Sequence, residues 1–355
     1  MKNISILSAI LSVGLVLVGC SKSDNEVQMA KADFNIVSAE NSLPVFGGQI
    51  HVTTDLAPVQ AYAEDNWLKV ALEGNKVTLT AALNEGVQSR NTSLILKDAK
   101  GDSTLINIKQ AGIIFGLPKT ETFAGGDEAI NKTLILATNV KSEYSSTVDW
   151  ITVKLDGNKL QISAPRNETG KPRVGYIVAR TGSLEDRIRV VQASLADVAG
   201  SYIQTAQTLV DSVTMGELLS QVTIKRVSDT KAKFIIDEAF SWDIDFTPGR
   251  GFTMVNGQIV AEDTNELGKK VYIASVLAAD DFSPSHKNTL IGNRESVHLN
   301  IADDGSLVFT QAQIIAPNQT WASYAFARSN AKQISLGSYA GLAMTFIRPT
   351  LKKEE

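Results

Sequence analysis

The sequence predicts an all-β protein: two tandem immunoglobulin-like β-sandwiches followed by a mainly β C-terminal domain, built as a sandwich or an open barrel. Three observations predict it. Short segments recur 83 positions apart, apolar residues alternate with polar ones over short runs, and Gly-Asn or Asp-Gly pairs separate those runs. The chain has 355 residues, enough for two or three domains that each bury a core. With 43% hydrophobic and 20% charged residues it is not a disordered chain. The net charge of −4, from 34 basic and 38 acidic side chains, argues against nucleic acid as a partner. A single cysteine forms no intrachain disulfide and no multi-cysteine metal site. With three histidines besides, no metal and no cofactor is assigned.

Taken in order, the first element is an address. Lys2 precedes an apolar run from Ile4 to Val18, too short to span a bilayer but the length of a signal-peptide core. The run ends in Leu17-Val18-Gly19-Cys20, which resembles the bacterial lipobox. That resemblance implies a signal peptide over 1–19 and lipidation of Cys20, and acylation would also remove a free thiol from an oxidising compartment. Residues 20–32 read as the lipidated cysteine and its tether, beginning with the polar stretch Ser21 to Glu26. This stretch is similar to the export signals of Bacteroidetes surface lipoproteins. The expectation is an outer-membrane protein, lipid-anchored and facing the exterior, that meets the membrane through its lipid alone.

The repeat comes next. Trp67-Leu68-Lys69-Val70 returns as Trp150-Ile151-Thr152-Val153, and Leu72 to Val77 returns as Leu155 to Leu160. Asn84-Glu85 returns as Asn167-Glu168, Arg90 as Arg173, and Gln110-Ala111-Gly112 as Gln192-Ala193-Ser194. Two copies of one domain therefore occupy 33–112 and 113–194. Within them, Lys76 to Thr80 and Lys159 to Ser163 alternate as half-buried strands, and Gly74-Asn75 and Gly157-Asn158 suit hairpin turns. Thr92–Leu96, Val174–Val178, Leu105–Ile108 and Ile188–Val191 are further strands. Trp67 and Trp150 hold the same place in both copies and read as core anchors. Arg90 and Arg173 read as strand-end ion-pair partners. Gly48 lies 19 positions before Trp67 but Gly126 lies 24 before Trp150, so a longer loop is expected around Asn131 to Ser146.

A Trp-hydrophobic pair, a Gly-Asn hairpin, Asn-Glu followed by Arg, and a closing strand ending in Gln-Ala-Gly together resemble the BACON domain (Bacteroidetes-associated carbohydrate-binding, often N-terminal). The resemblance implies two immunoglobulin-like sandwiches on a surface lipoprotein and a carbohydrate-related role, either in binding or as spacers that raise a distal module.

The C-terminal domain, 198–347, follows a short connection, and 348–355 reads as a charged tail. Strands are expected over Gln221–Val227, Lys231–Ile236, Phe252–Val260 and Val271–Leu277, with a helical turn or two within Thr208–Ser220. Val297–Ile301 and Ser306–Thr310 form a hairpin around Asp304-Gly305. No nucleophile elbow, phosphate loop or dinucleotide fingerprint occurs, so no catalytic residue is assigned. Asp243 and Asp245 sit at alternate positions and share a face. They could serve acid–base chemistry, bind calcium, or form a solvated strand face. Sugar sites pair an aromatic face with amides and carboxylates. The candidate glycan-binding residues are therefore Trp242 with Asp243 and Asp245, and Trp321 with Asn318 and Gln319; core packing is the competing role for both tryptophans. Strand alternation would put Tyr324 and Phe326 on the face opposite Trp321. The expected function is non-catalytic glycan binding in polysaccharide or host-glycan capture. The alternatives are a structural spacer or assembly protein binding outer-membrane transport or assembly proteins, and a small-ligand carrier with a barrel cavity.

Overall fold

A computed structural model describes residues 31–119, 122–209, 215–279, 289–290, 296–310 and 321–354. The signal peptide, Cys20 and most of the tether lie outside the described residues. The packing of the backbone divides the chain into two units, one through Gly112 and one from Ile113 onward.

The first unit holds the first Ig-like domain. Its strands are β1 (Ile36–Ala39), β2 (Ser42–Leu43), β3 (Gly48–Thr54), β4 (Gln60–Ala63), β5 (Leu68–Glu73), β6 (Lys76–Ala81), β7 (Arg90–Lys97) and β8 (Ser103–Gln110). One sheet runs β1-β3-β6-β5 and the other β2-β8-β7-β4, with β2 parallel to β8. Alternation sends Val52, Val77, Leu79, Leu94, Leu96 and Ile108 between the sheets, all fully buried. The β5–β6 hairpin turns at Gly74, whose φ of +59° an L side chain rarely adopts. Asn75 does not share that conformation; its Nδ2 donates to Thr54 O at 3.0 Å.

The second Ig-like domain comprises β9 (Phe123–Gly125), β10 (Ile130–Ile135), β11 (Glu143–Ser146), β12 (Thr152–Asp156), β13 (Lys159–Ala164), β14 (Arg173–Thr181) and β15 (Leu184–Gln192). Its sheets run β10-β13-β12 and β11-β14-β15-β9. Register corrects the expected loop insertion. Ile130 pairs with Ala164 as Gly48 pairs with Ala81, so Ile130, not Gly126, is the counterpart of Gly48. Glu143 pairs with Arg180 as Gln60 pairs with Lys97. The second copy thus gains a single residue between these points, and Asn131 to Ile135 lie in β10 instead of a loop.

A short helix, α1 (Leu195–Val198), leads from the second Ig-like domain into the C-terminal β-domain. Ser194 and Asp197 form its capping box, with Ser194 N donating to Asp197 Oδ2 at 2.7 Å. The strands are β16 (Gly200–Leu209), β17 (Met215–Arg226), β18 (Lys231–Ile236), β19 (Phe240–Thr247), β20 (Gly251–Val255), β21 (Ile259–Thr264), β22 (Lys270–Ala279), β23 (Thr289–Leu290), β24 (Ser296–Ile301), β25 (Leu307–Thr310), β26 (Trp321–Ser329) and β27 (Tyr339–Lys353). They form one sheet in the order β21-β22-β26-β27-β16-β17-β18-β19-β20-β24-β25, with β23 beside β22.

This sheet curls on itself. β19 and β26 stand five strand spacings apart, about 24 Å if flat. Yet the rings of Trp242 on β19 and Tyr324 on β26 lie 5.6 Å apart. Tyr324 also stacks on Phe346 at 4.7 Å, and Phe326 packs edge-on against Phe346 at 5.4 Å. These rings pack against one another inside the curl. The outer face of β22 and β26 has its own small cluster of Ala274, Val276, Ala325 and Ala327 under Ile334.

The expected strands over Gln221–Val227, Lys231–Ile236 and Val271–Leu277 and the 304–305 hairpin are present, with Gly305 at φ +82°. Phe252–Val260 is not one strand: it breaks at Gly257 (φ +80°) into β20 and β21. Two further expectations are corrected. The ends of Thr208–Ser220 continue β16 and β17, whose ten-residue antiparallel ladder leaves no helix among the described residues. The charged tail is not a tail: Lys352 and Lys353 belong to β27 and pair with Ile203 and Tyr202.

Candidate functional site

The repeated residues of the Ig-like domains serve the fold. Trp67 and Trp150 are half-buried against their cores. The guanidinium of Arg90 lies over the Trp67 ring at 4.5 Å, and that of Arg173 over Trp150 at 4.3 Å. Each arginine then meets the glutamine that ends its sheet. Arg90 Nε donates to Gln110 Oε1 at 2.9 Å, and Arg173 Nε to Gln192 Oε1 at 2.9 Å. The glutamines are fully buried and donate onward to backbone carbonyls, Gln110 to Ala82 O (2.8 Å) and Gln192 to Pro165 O (3.1 Å). The expected ion pairs of Arg90 and Arg173 are therefore replaced by a ring face and an amide. Burial pushes the Arg173 guanidinium below its ordinary value. Asn84 and Asn167, also buried, donate to Gln88 O and Lys171 O, both at 2.9 Å.

The sugar-site candidates do not converge. Trp242 is 1% exposed, and its Nε1 donates to Val255 O at 2.8 Å. It belongs to the core, because β19 alternates and its even positions face into the curl. Asp243 and Asp245 point the other way, into solvent, so they cannot act with Trp242. They share a face as expected, but lysines on β18 engage both. Lys233 Nζ lies 2.7 Å from Asp243, and Lys231 pairs with Asp245. Trp321 begins β26; its side chain, Asn318 and Gln319 lie outside the described residues. Tyr324 and Phe326 are buried inside the curl.

A concavity lies elsewhere in the second unit, where the second Ig-like domain meets the C-terminal β-domain. It is a cleft of about 820 Å³. Arg187 and Arg189, at alternate positions of β15, line one wall. Arg250 and Gly251, in the β19–β20 turn, and Thr253, His298 and Asn300, on β20 and β24, line the other. His298 and Thr253 are direct cross-strand partners, with Nδ1 and Oγ1 3.4 Å apart.

Two glycines set the turn that carries Arg250. Gly249 (φ +68°) approaches β9 so closely that a Cβ would sit 2.3 Å from Gly125 N, and its own N–H donates to Ala193 O at 3.0 Å. Gly251 (φ +125°) lies against β24, where a Cβ would fall 2.0 Å from Leu299 O. A side chain at either position would push the turn out of place.

A polar clasp holds the walls together. Tyr176 Oη donates to Asp303, 2.8 and 2.7 Å from its two oxygens. Arg189 Nε donates to Asp303 Oδ1 at 2.9 Å, and Arg189 Nη2 to Ile301 O at 2.7 Å. Hydrogen bonds from Tyr176 and Arg189 hold the Asp303 carboxyl below the usual carboxylate range. Burial alone would raise Asp186, but Lys119 and the Leu117 amide hold it below that range too. Behind the clasp, Val191, Ala193, Leu195 and Val198 belong to the same apolar cluster as Trp242 and Phe252.

The sequence alone assigned no site role to Arg187, Arg189, Tyr176, Asp303, Arg250 or His298. One signal was present. By register, β8 carries Leu105 and Asn107 where β15 carries Arg187 and Arg189. The repeat breaks at the positions that line the cleft.

Comparisons place the two copies. The BACON family model ("Putative binding domain, N-terminal") matches residues 58–111 and 140–193. No curated protein matches the chain in sequence. Among solved structures, the I9–I11 tandem of titin is similar at 8% identity, over 68% of this chain and 94% of that one, with a TM-score of 0.34. Titin tandem A164–A165 is 9% identical over 45% of this chain and 95% of that one, with a TM-score of 0.22. An endo-fucoidan hydrolase of glycoside hydrolase family 107 is 10% identical over 60% and 43%, with a TM-score of 0.21. Likenesses this distant add nothing to what the sheets themselves display. Two tandem segments of the chain thus match the BACON family model, described as a putative binding domain, and they lie ahead of a curled β-domain.

Proposed function

We propose that this is a lipid-anchored, outward-facing outer-membrane protein of the Bacteroidetes type that captures glycan without cleaving it. The sugar lies in the cleft beside Arg250, not at Trp242. The observation that carries the reading is the cleft itself. It is about 820 Å³ in volume, its walls are fixed by the Asp303 clasp and the two turn glycines, and it is edged by groups able to bond hydroxyls. The reading is non-catalytic because the carboxylates beside the cleft are committed. Asp303 serves Tyr176 and Arg189, Asp186 serves Lys119, and both are held ionised rather than poised as a general acid. The anchor rests on Cys20, the chain's single cysteine, at the end of Leu17-Val18-Gly19-Cys20.

Screening the detergent-solubilised full chain on a glycan array tests the binding. A folded chain that retains no glycan defeats the reading. Fractionation tests the anchor, with Cys20→Ser expected to release the protein from membranes.

A second reading applies to the first BACON domain. Its Trp67, Arg90 and Gln110 are spent on one another, which favours a spacing role that raises the second unit from the membrane or meets transport and assembly proteins. Co-purification of an outer-membrane partner that survives loss of glycan binding would support it.

A further inference from the structure

We infer that the cleft selects anionic glycans, sugars bearing carboxylate or sulfate; this deepens the glycan-binding reading and rests on it. Four cationic side chains line the cleft, Lys119, Arg187, Arg189 and Arg250, and its lining includes no carboxylate. Just behind it, Asp186 pairs with Lys119 and Asp303 with Arg189. Arg187 and Arg250 form no ion pair among the described residues. In a chain of net charge −4, two guanidinium groups without a direct ion pair thus stand around one concavity, Arg187 sharing only the longer-range field of Asp303, whose direct partner is Arg189. Like charges gathered in a cleft raise the local potential and draw an anion in.

Both are positioned in advance. Arg187 lies over the Tyr176 ring at 4.8 Å, and the Tyr176 hydroxyl is fixed by Asp303. Arg250 is aimed by a turn that Gly249 and Gly251 lock against β9 and β24. A guanidinium fork matches a planar carboxylate or two sulfate oxygens with paired hydrogen bonds, which a neutral sugar cannot reciprocate. The Asn300 amide, whose Nδ2 donates to Thr310 Oγ1 at 3.2 Å, and Thr253 beside His298 supply further polar groups for ring hydroxyls. The phenylalanines of the lining, Phe123 and Phe252, are buried and offer no stacking face for a neutral pyranose, and nearby Tyr176 is already covered by Arg187. Charge is the discriminating chemistry this cleft presents.

The test is affinity electrophoresis and titration calorimetry of the full chain against matched polymers. Polygalacturonate is compared with its methyl ester, dextran sulfate with dextran, and a short DNA duplex controls for charge alone. The expected result is retention by an acidic polymer and not by its neutral partner. That retention should weaken with added salt and fall about tenfold in Arg250→Gln and in Arg187→Gln. The two acidic arms separate carboxylate from sulfate. Equal retention of neutral polymers overturns the inference while leaving glycan binding intact. Binding of DNA as strong as that of the acidic glycans, or binding untouched by both variants, overturns it as well. If no glycan of either kind binds to a folded chain, the glycan-binding reading fails first.

Discussion

The two BACON domains use the same device and meet different fates. In both, an arginine lies on a tryptophan ring and is caught by the glutamine of the closing strand. In the first, that strand carries Leu105 and Asn107, and the domain forms a compact unit by itself. In the second, the strand carries Arg187 and Arg189, and its last residues enter the core of the next domain. What the copies share holds the sandwich. What they do not share builds the clasp and the cleft. Repetition in this sequence therefore marks the shared sandwich, and its breaks mark the clasp and the cleft.

Calorimetry of the full chain would put this contrast at risk. The expected trace has two transitions, a smaller one for the first domain and a larger one for the fused unit. Trp242→Ala should have the largest effect. It removes a fully buried ring packed on Tyr324 and Phe326 and should lower the stability of the larger transition by about 3–5 kcal/mol. A shift of both transitions would show that the two units unfold as one.

Gly249→Val comes next. Its side chain would strike the backbone of β9 from a left-handed conformation, and about 2–3 kcal/mol should be lost from the larger transition alone. An unchanged melt would mean that the turn is free to move.

Arg90→Ala and Arg173→Ala should each cost about 1–2 kcal/mol, the first in the smaller transition and the second in the larger. Very unequal losses would break the claim of one shared device.

The smallest effect is a pH dependence at α1. Burial, reinforced by neighbouring Asp127, raises the Asp197 carboxyl above its ordinary 3.8. The folded chain then holds this proton more tightly than the unfolded chain. The stabilisation is fully present below the unfolded value and is lost as pH rises through the folded one. Asp197→Asn keeps an acceptor for Ser194 and removes the titration. The difference in Tm between about pH 4 and pH 7 should therefore be more favourable to pH 7 in the variant than in the parent. A variant weakened mainly at pH 7 would contradict the assignment.

Much of the fold was legible. Alternation and the glycine turns located the strands, and the 83-residue spacing revealed the two sandwiches. The long final strand was missed because Arg348, Lys352 and Lys353 read as a solvated tail. Charged side chains are compatible with full backbone pairing: Lys352 faces solvent, while Lys353 turns the other way and donates to Asp197 O at 2.8 Å. The misplaced insertion came from matching two glycines by type when pairing equates Gly48 with Ile130.

The site was harder. Alternation says that Trp242 and Asp243 face opposite ways but not which way is inward. That is settled only by the curl, which brings β26 over β19. The cleft joins Arg187, Arg250 and His298 from three distant segments, and no local pattern links them. The Trp–Arg stacking was closer to view, since Trp67 and Arg90 recur at the same spacing as Trp150 and Arg173.

The curled domain also imposes an order of events. Its first strand pairs with its last, as where Thr350 Oγ1 donates to Thr205 O, 145 positions away in the chain. Tyr202 cannot meet Lys353 until the 150 residues between them have emerged, so this domain closes late and slowly while the first BACON domain can fold early. A ribosome that stops a dozen codons short would leave β16 as an open edge and the aromatic interior exposed, ready to pair with another chain. Cellular quality control would meet that species as an aggregating intermediate, and the few residues from Ile347 to Lys353 that pair with β16 would decide whether the domain closes at all.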